Sequence, residues 1–223
     1  MLIAGLRKTS FVDYPGQPCA VVFTPHCNMN CTYCHNDEIL RGSVPLVPEE
    51  EVMAYLEKRA GTLRALTVSG GEPTLQQGLV PFIERVRALG YLVKLDTNGM
   101  KPAVLQQLLL RGLVDYVAMD IKAPPEKYDA VTRVRCDLAA VRRSVYLLQN
   151  SGVAHEFRTT FAPELTAEDV VGAAELARGT ERYFLQQYRP RREGDLPAHP
   201  PSYVQETAAR VREAIGVCQV RGL

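Results

Sequence analysis

The sequence predicts an α/β fold, a parallel sheet wrapped as a partial (β/α)6 barrel of TIM-like type. Three observations lead to it. Short apolar runs of strand character alternate with stretches of helical spacing, and the alternation repeats six times. Repeated β–α units imply parallel strands joined by right-handed crossovers. The length of 223 residues then sets the size. An eight-unit barrel averages roughly 250 residues, so about six units fit once a lead-in and a tail are set aside.

Residues 1–17 read as a lead-in or short hairpin, because Asp13-Tyr14-Pro15-Gly16 is a turn signal. The barrel core is expected over residues 18–188, with strands at 19–24, 63–69, 92–97, 116–121, 153–160 and 182–187. Pro48 followed by three glutamates opens the first helix, since acids favour the positive end of the helix dipole. Val52, Tyr55 and Leu56 give that helix its apolar face. Leu79, Phe82, Ile83, Val86 and Leu89 keep helical spacing in the next. Val104, Leu105, Leu108 and Leu109 do so behind Pro102, and Leu138, Val141, Val145 and Leu148 after them. Thr166 with Asp169 has the pattern of a helix cap. Residues 189–223 are expected to be a solvated, proline-rich loop and a last helix carrying Tyr203, Val211 and Ile215. The whole reads as one domain.

Composition excludes several classes. Apolar residues at 46% and charged residues at 23% are ordinary globular values. A net charge of +1 gives no field that favours nucleic acid. No run has the apolar length of a membrane span, and the N-terminal residues lack the order of a signal peptide. A cytoplasmic chain without nucleic-acid or membrane partners is expected. Of six cysteines, Cys19, Cys136 and Cys218 are isolated and read as apolar thiols in a reducing compartment.

The other three carry the chemistry. Cys27, Cys31 and Cys34 form a C-x3-C-x2-C motif on a polar loop that leaves the first core strand. Thiolates this close invite a thiophilic metal site. Zinc wants four protein ligands, and neither His26 nor His35, each adjoining a cysteine, completes a tetrahedron easily. A [4Fe–4S] cluster usually takes four cysteines, so three would leave one iron open to an exogenous ligand.

The motif, with Tyr33 before its last cysteine, resembles the signature of the radical S-adenosylmethionine (radical SAM) superfamily. The resemblance implies a [4Fe–4S] cluster on Cys27, Cys31 and Cys34. It also implies S-adenosylmethionine chelated at the open iron and cleaved to methionine and a 5′-deoxyadenosyl radical. Tyr33 and His35 would then pack on or bond to the adenine.

The strand ends fit such a ligand. Fully buried parallel strands should be almost wholly apolar, yet polar residues gather here at the C-terminal ends, where barrel enzymes keep their chemistry. Ser69-Gly70-Gly71-Glu72-Pro73 lets a backbone approach a ligand and resembles the motif that receives the methionine amino group. Asp96-Thr97-Asn98-Gly99 follows the third strand. Asp120 and Lys122 share one face of the fourth, Lys122 suited to a ligand carboxylate and Asp120 and Asp96 to ribose hydroxyls or an ammonium. Two neighbouring carboxylates also favour a bound cation. Glu156, Arg158 and Thr160 share a face of the fifth strand, either lining the lumen or pairing Glu156 with Arg158. Gln186 and Gln187 end the sixth, near the adenine or an entering substrate.

Together these motifs, and the stretch from Gly5 to Gly16, resemble the glycyl-radical-enzyme activases, most closely the activating proteins of anaerobic ribonucleoside-triphosphate reductase. The implied partners are the large reductase chain, whose glycine loses an α-hydrogen, and an electron donor such as flavodoxin or ferredoxin. The segment from Asp37 to Val47 has no cysteine, so a single cluster is expected. Two alternatives stay open: a radical enzyme acting on a small molecule, as the carboxy-deazaguanine synthases do, and a non-enzymatic metal or cluster carrier.

Overall fold

The computed structural model describes residues 1–40, 42–191 and 193–223. Its centre is one eight-stranded sheet in the order β1-β2-β3-β4-β5-β6-β7-β8. Strands β2 (Cys19–Thr24), β3 (Ala65–Gly70), β4 (Leu92–Thr97), β5 (Tyr116–Asp120), β6 (Ala154–Phe161) and β7 (Tyr183–Gln187) are all parallel. These are the six strands read from the sequence, and helices follow each of them. The sheet is therefore α/β and of the partial-barrel kind.

The sheet gains a strand at either side. β1 (Gly5–Ser10) pairs antiparallel with β2, the hairpin form of the lead-in. β8 (Gln219–Arg221) pairs parallel with β7 and was not expected. Three residues are too few to show a period, so the last stretch read only as loop and helix. β1 and β8 are the two edges, and the barrel stays open between them.

Long helices cover the outer face: α2 (Glu49–Arg59), α3 (Leu79–Ala88), α4 (Pro102–Leu110), α6 (Leu138–Gln149), α7 (Ala167–Glu175) and α8 (Pro201–Ile215). Their starts match their sequence signals. The Thr166 hydroxyl and Asp169 carboxylate form a reciprocal capping box at α7. Two short helices, α1 (Asp37–Leu40) and α5 (Tyr128–Thr132), escaped the periodicity argument because one turn carries no period. Among the described residues, no helix is long and apolar enough to cross a membrane.

Alternation along each strand divides the core in two. Outward residues such as Val22, Leu66, Val68, Val93, Leu95 and Val117 join Leu56, Phe82, Ile83 and Leu148 of the helices in one buried apolar layer. Inward residues are a different population. Cys19, Val21, Ala65, Tyr116 and Ala118 pack around Tyr14 of the β1–β2 loop and fill one part of the lower lumen. Above them stand Lys94 and Glu156, which are only 3% and 1% exposed. Buried charges persist only when paired. Glu156 takes two bonds from the Arg221 guanidinium, at 2.6 and 2.9 Å, and one from the Tyr116 hydroxyl at 2.7 Å. Burial pushes its carboxyl up, but these bonds hold it below its ordinary value. Of the two readings of this face, lining the lumen is the one that holds, and the Glu156–Arg158 pair does not form. Glu156 belongs to Arg221 of β8, and Arg158 reaches upward.

Candidate active site

The cysteine loop leaves β2 at the C-terminal end of the sheet and is fixed from several sides. The amides of Asn30 and Thr32 donate to the carbonyls of Thr132 and Val131 in α5, at 2.9 and 3.0 Å. Cys34 N donates to Cys31 O at 3.1 Å, and Met29 N to the Cys27 sulfur at 3.4 Å. The Asn98 amide nitrogen donates to Asn28 Oδ1 at 2.8 Å and lies 3.7 Å from the Cys27 sulfur. No cysteine is in a disulfide. Burial pushes the Cys27 thiol up to about 11 and raises Cys31 as well, so ligation of a thiophilic group would release protons.

Gly70 and Gly71 have a use the sequence did not reveal. They bring the turn after β3 against the cysteine loop, where Gly71 N donates to Thr24 O and Glu72 N to His26 O, both at 2.8 Å. A Cβ on Gly71 would sit 1.9 Å from His26 O, and one on Gly70 2.3 Å from Thr24 N. Gly70 also has φ of 115°, which only glycine adopts freely. Glu72, 1% exposed, points away from open space. It accepts from Thr74 N, Thr74 Oγ1, Thr97 Oγ1 at 2.8 Å and Asn98 N at 2.7 Å, joining this turn to the end of β4. Burial raises its pKa despite those four bonds.

Across the lumen runs a chain of alternating charge. Lys94 pairs with Asp96, Arg158 lies 3.6 Å from Asp96 and 2.7 Å from Asp120, and Lys122 lies 2.9 Å from Asp120. Ser69 Oγ adds a bond to Asp96 at 3.0 Å. Burial opposes ionisation of Asp120, but Arg158 and then Lys122 hold its carboxyl well below the usual range. Asp96 is lowered in the same way, by Lys94 first and then Arg158. The two carboxylates were expected to favour a bound cation. The cation between them is the Arg158 guanidinium. With three cations and two carboxylates, the layer keeps an excess of one positive charge.

All three motif cysteines line one cavity. Tyr33, His35, Gly70, Gly71, Glu72, Asp96, Thr97, Asn98, Asp120, Lys122 and Arg158 line it too. Tyr33 is buried with its hydroxyl unpartnered, beneath the Lys122 ammonium 5.9 Å from its ring centroid. His35 Nε2 bonds to Arg189 O at 2.9 Å. Among the described residues no three His, Cys, Asp or Glu side chains are arranged to hold a single ion.

Gln186 is the exception. It lies in a lower cavity, on the far side of Asp96 and Arg158. Gln187 faces outward and donates to His199 O at 2.9 Å. The loop after β7 is largely exposed, as expected, and it also straps the cysteine loop. Arg191 Nη1 bonds to Cys34 O, beside the His35 contact; Arg192 lies outside the described residues. Sequence reading passed over Lys94, although it keeps the period of two that places it inward with Asp96.

Comparison with known proteins decides the family. Residues 21–177 match the model of the radical SAM superfamily. The chain belongs to the radical SAM superfamily. A Methanocaldococcus jannaschii protein, provisionally named a glycyl-radical enzyme activating enzyme, is 34% identical over 196 residues, covering 85% of this chain and 81% of its own. A 7-carboxy-7-deazaguanine synthase of Koribacter versatilis is 40% identical over 92 residues, covering 40% of this chain and 39% of its own. Among solved structures, Streptococcus suis SuiB bound to S-adenosylmethionine superposes with a TM-score of 0.70 at 11% identity, over 91% of this chain and 52% of that one. Membership makes this a radical SAM enzyme and implies a [4Fe–4S] cluster with S-adenosylmethionine. The donor set fits both groups: three thiols of one loop share a cavity with the Lys122 and Arg158 cations and an unpartnered Tyr33 hydroxyl.

Replacing Gly71 by Ala should break the backbone clasp between the glycine turn and the cysteine loop. The substitution should lower the melting temperature by several degrees and increase amide exchange at residues 26–34. A variant with wild-type melting and exchange would show that the clasp is dispensable.

Proposed function

We propose that this radical SAM enzyme is a glycyl-radical-enzyme activase acting on anaerobic ribonucleoside-triphosphate reductase. The degree of likeness over most of the chain supports the reading. The relative named as an activase is 34% identical over 85% of this chain and 81% of its own, whereas a 7-carboxy-7-deazaguanine synthase of Thermococcus kodakarensis, matched over 82% and 76%, is 25% identical. In the proposed reaction, one electron, S-adenosylmethionine and a glycine residue yield methionine, 5′-deoxyadenosine and a glycyl radical. The electron comes from a flavodoxin- or ferredoxin-like donor.

In this reading Cys27, Cys31 and Cys34 ligate the cluster, which when bound supplies the one-electron reduction that cleaves the sulfonium. Lys122 and Arg158 face the ligand carboxylate, and their cations favour it there. Asp120, already ionised and oriented by both cations, accepts from ribose hydroxyls. The polar backbone of Gly70 and Gly71 lies open to the methionine amino group. Tyr33 covers the adenine side and offers its free hydroxyl, while the strap held by His35 and Arg191 limits water. The second reading, a small-molecule radical enzyme, keeps the same cofactor roles and differs only in what enters the lumen.

Three measurements test these assignments. Anaerobic reconstitution should give one cluster per chain, lost on changing Cys27, Cys31 or Cys34 to Ala and kept on changing Cys19, Cys136 or Cys218. One zinc and no iron per chain would remove the basis of the assignment.

Asp120→Ala and Lys122→Ala should keep the cluster yet weaken S-adenosylmethionine binding about ten- to a hundredfold, since a charge-assisted hydrogen bond contributes roughly 1.5–3 kcal/mol. Unchanged affinity in titrations would displace the ligand from this layer.

The reduced protein with S-adenosylmethionine and the reductase should produce a glycyl doublet in electron paramagnetic resonance spectra. Deuterium from the glycine α-carbon should appear in 5′-deoxyadenosine. Label arriving instead from a purine-like small molecule would favour the second reading.

A further inference from the structure

The lumen continues beyond the charged layer. Asp96 and Arg158 line the cofactor cavity on one side and a second cavity on the other. The second cavity opens toward the β1–β2 loop, whose Val12, Asp13 and Pro15 form its mouth. Because that loop enters β2 at its N-terminal end, the mouth lies at the end of the lumen away from the cysteines.

The loop itself is firmly held. Ser10 Oγ accepts from the amides of Val12 and Asp13, both at 3.3 Å, and Asp13 O accepts from Thr67 Oγ1 at 3.2 Å. Tyr14 is buried with its ring 6.0 Å from that of Tyr116. These anchors turn Phe11 and Val12 outward, where they are 79% and 86% exposed. Single exposed apolar residues need no explanation, but an adjacent pair on a pinned loop at a cavity mouth marks a contact surface.

The chemistry of the cavity selects the occupant. Gln186 brings an amide that both donates and accepts, while Lys94 is paired with Asp96, Arg221 with Glu156 and Asp13 with Arg7, a lining of balanced charge that suits main-chain amides more than a free ion. Among the described residues lining it there is no aromatic face on which a flat heterocycle could stack. The nearby Phe184 ring is covered by the Arg221 guanidinium at 3.4 Å. A small ligand inside the cavity would also leave Phe11 and Val12 in water.

We propose that Phe11 and Val12 form a docking knob for a protein partner, and that the adjoining cavity admits an extended segment of that partner toward Asp96 and Arg158. The inference rests on the activase reading and adds the surface it uses. A segment passing up the lumen presents its α-carbon most closely where it has no side chain, at a glycine.

The test uses the reconstituted full-length enzyme and the purified large chain of anaerobic ribonucleoside-triphosphate reductase. Phe11→Ser combined with Val12→Ser should weaken binding of the large chain tenfold or more, the scale of lost apolar anchors. The partner radical formed below saturation should fall in proportion. S-adenosylmethionine cleavage with dithionite and no partner should be unchanged, since neither residue touches the cofactor cavity. Val12→p-benzoylphenylalanine should photocrosslink to the glycine-bearing region of the large chain. Wild-type affinity and radical yield in the double variant, or crosslinks elsewhere, would overturn the knob while leaving the activase reading intact. No partner radical from the unaltered enzyme would overturn both.

Discussion

Arg158 is the residue on which the upper half of the molecule depends. From β6 it reaches Asp120 on β5 at 2.7 Å and Asp96 on β4 at 3.6 Å, so one guanidinium joins three successive strand ends. Two carboxylates this close would otherwise compete for protons or recruit an ion. Arginine resolves the conflict with a planar, permanently charged fork. Lys94 and Lys122 complete the chain, and both carboxylates stay ionised. Buried ion pairs of this kind contribute little net stability, because desolvation offsets their attraction. Their value lies in orientation, with charge fixed in place before a ligand arrives.

The same layer divides the lumen. Above it the thiols, the glycine turn and Lys122 surround one cavity; below it Lys94, Glu156, Gln186 and Arg221 surround another. Asp96 and Arg158 belong to both. A barrel closed on all sides would admit only what fits through its top. The open edge between β1 and β8 removes that restriction. Arg221, on the short last strand, neutralises Glu156 from that edge, so the chain terminus takes part in the charge balance of the lumen.

The cysteine loop is held less by its own sequence than by its neighbours. The glycine turn clasps its beginning, α5 its middle and the strap after β7 its end. The first two contacts run through backbone groups, and the third through the Arg191 and His35 side chains to backbone carbonyls. The backbone contacts leave no residue-type signature, except at Gly70 and Gly71, where a close approach forbids any Cβ. Those glycines were expected to make room for a ligand, and they also make room for the loop.

By itself the sequence determined the class of fold and the centre of the chemistry. Six apolar runs alternating with amphipathic stretches specify β2 to β7 and their helices, because burial on both faces of a parallel sheet demands that pattern. Three clustered thiols name the site, because no structural role needs them at that spacing. Period-two alternation also placed Asp120 with Lys122 and Glu156 with Arg158 on shared faces. Only the tertiary structure decided which charges meet. Glu156 pairs with Arg221, 65 residues away, and Arg158 with Asp120, 38 residues away. Alternation fixes the side of a strand from which a residue projects, but not its height against the neighbouring strand. Register sets that height, and register is a property of the assembled sheet.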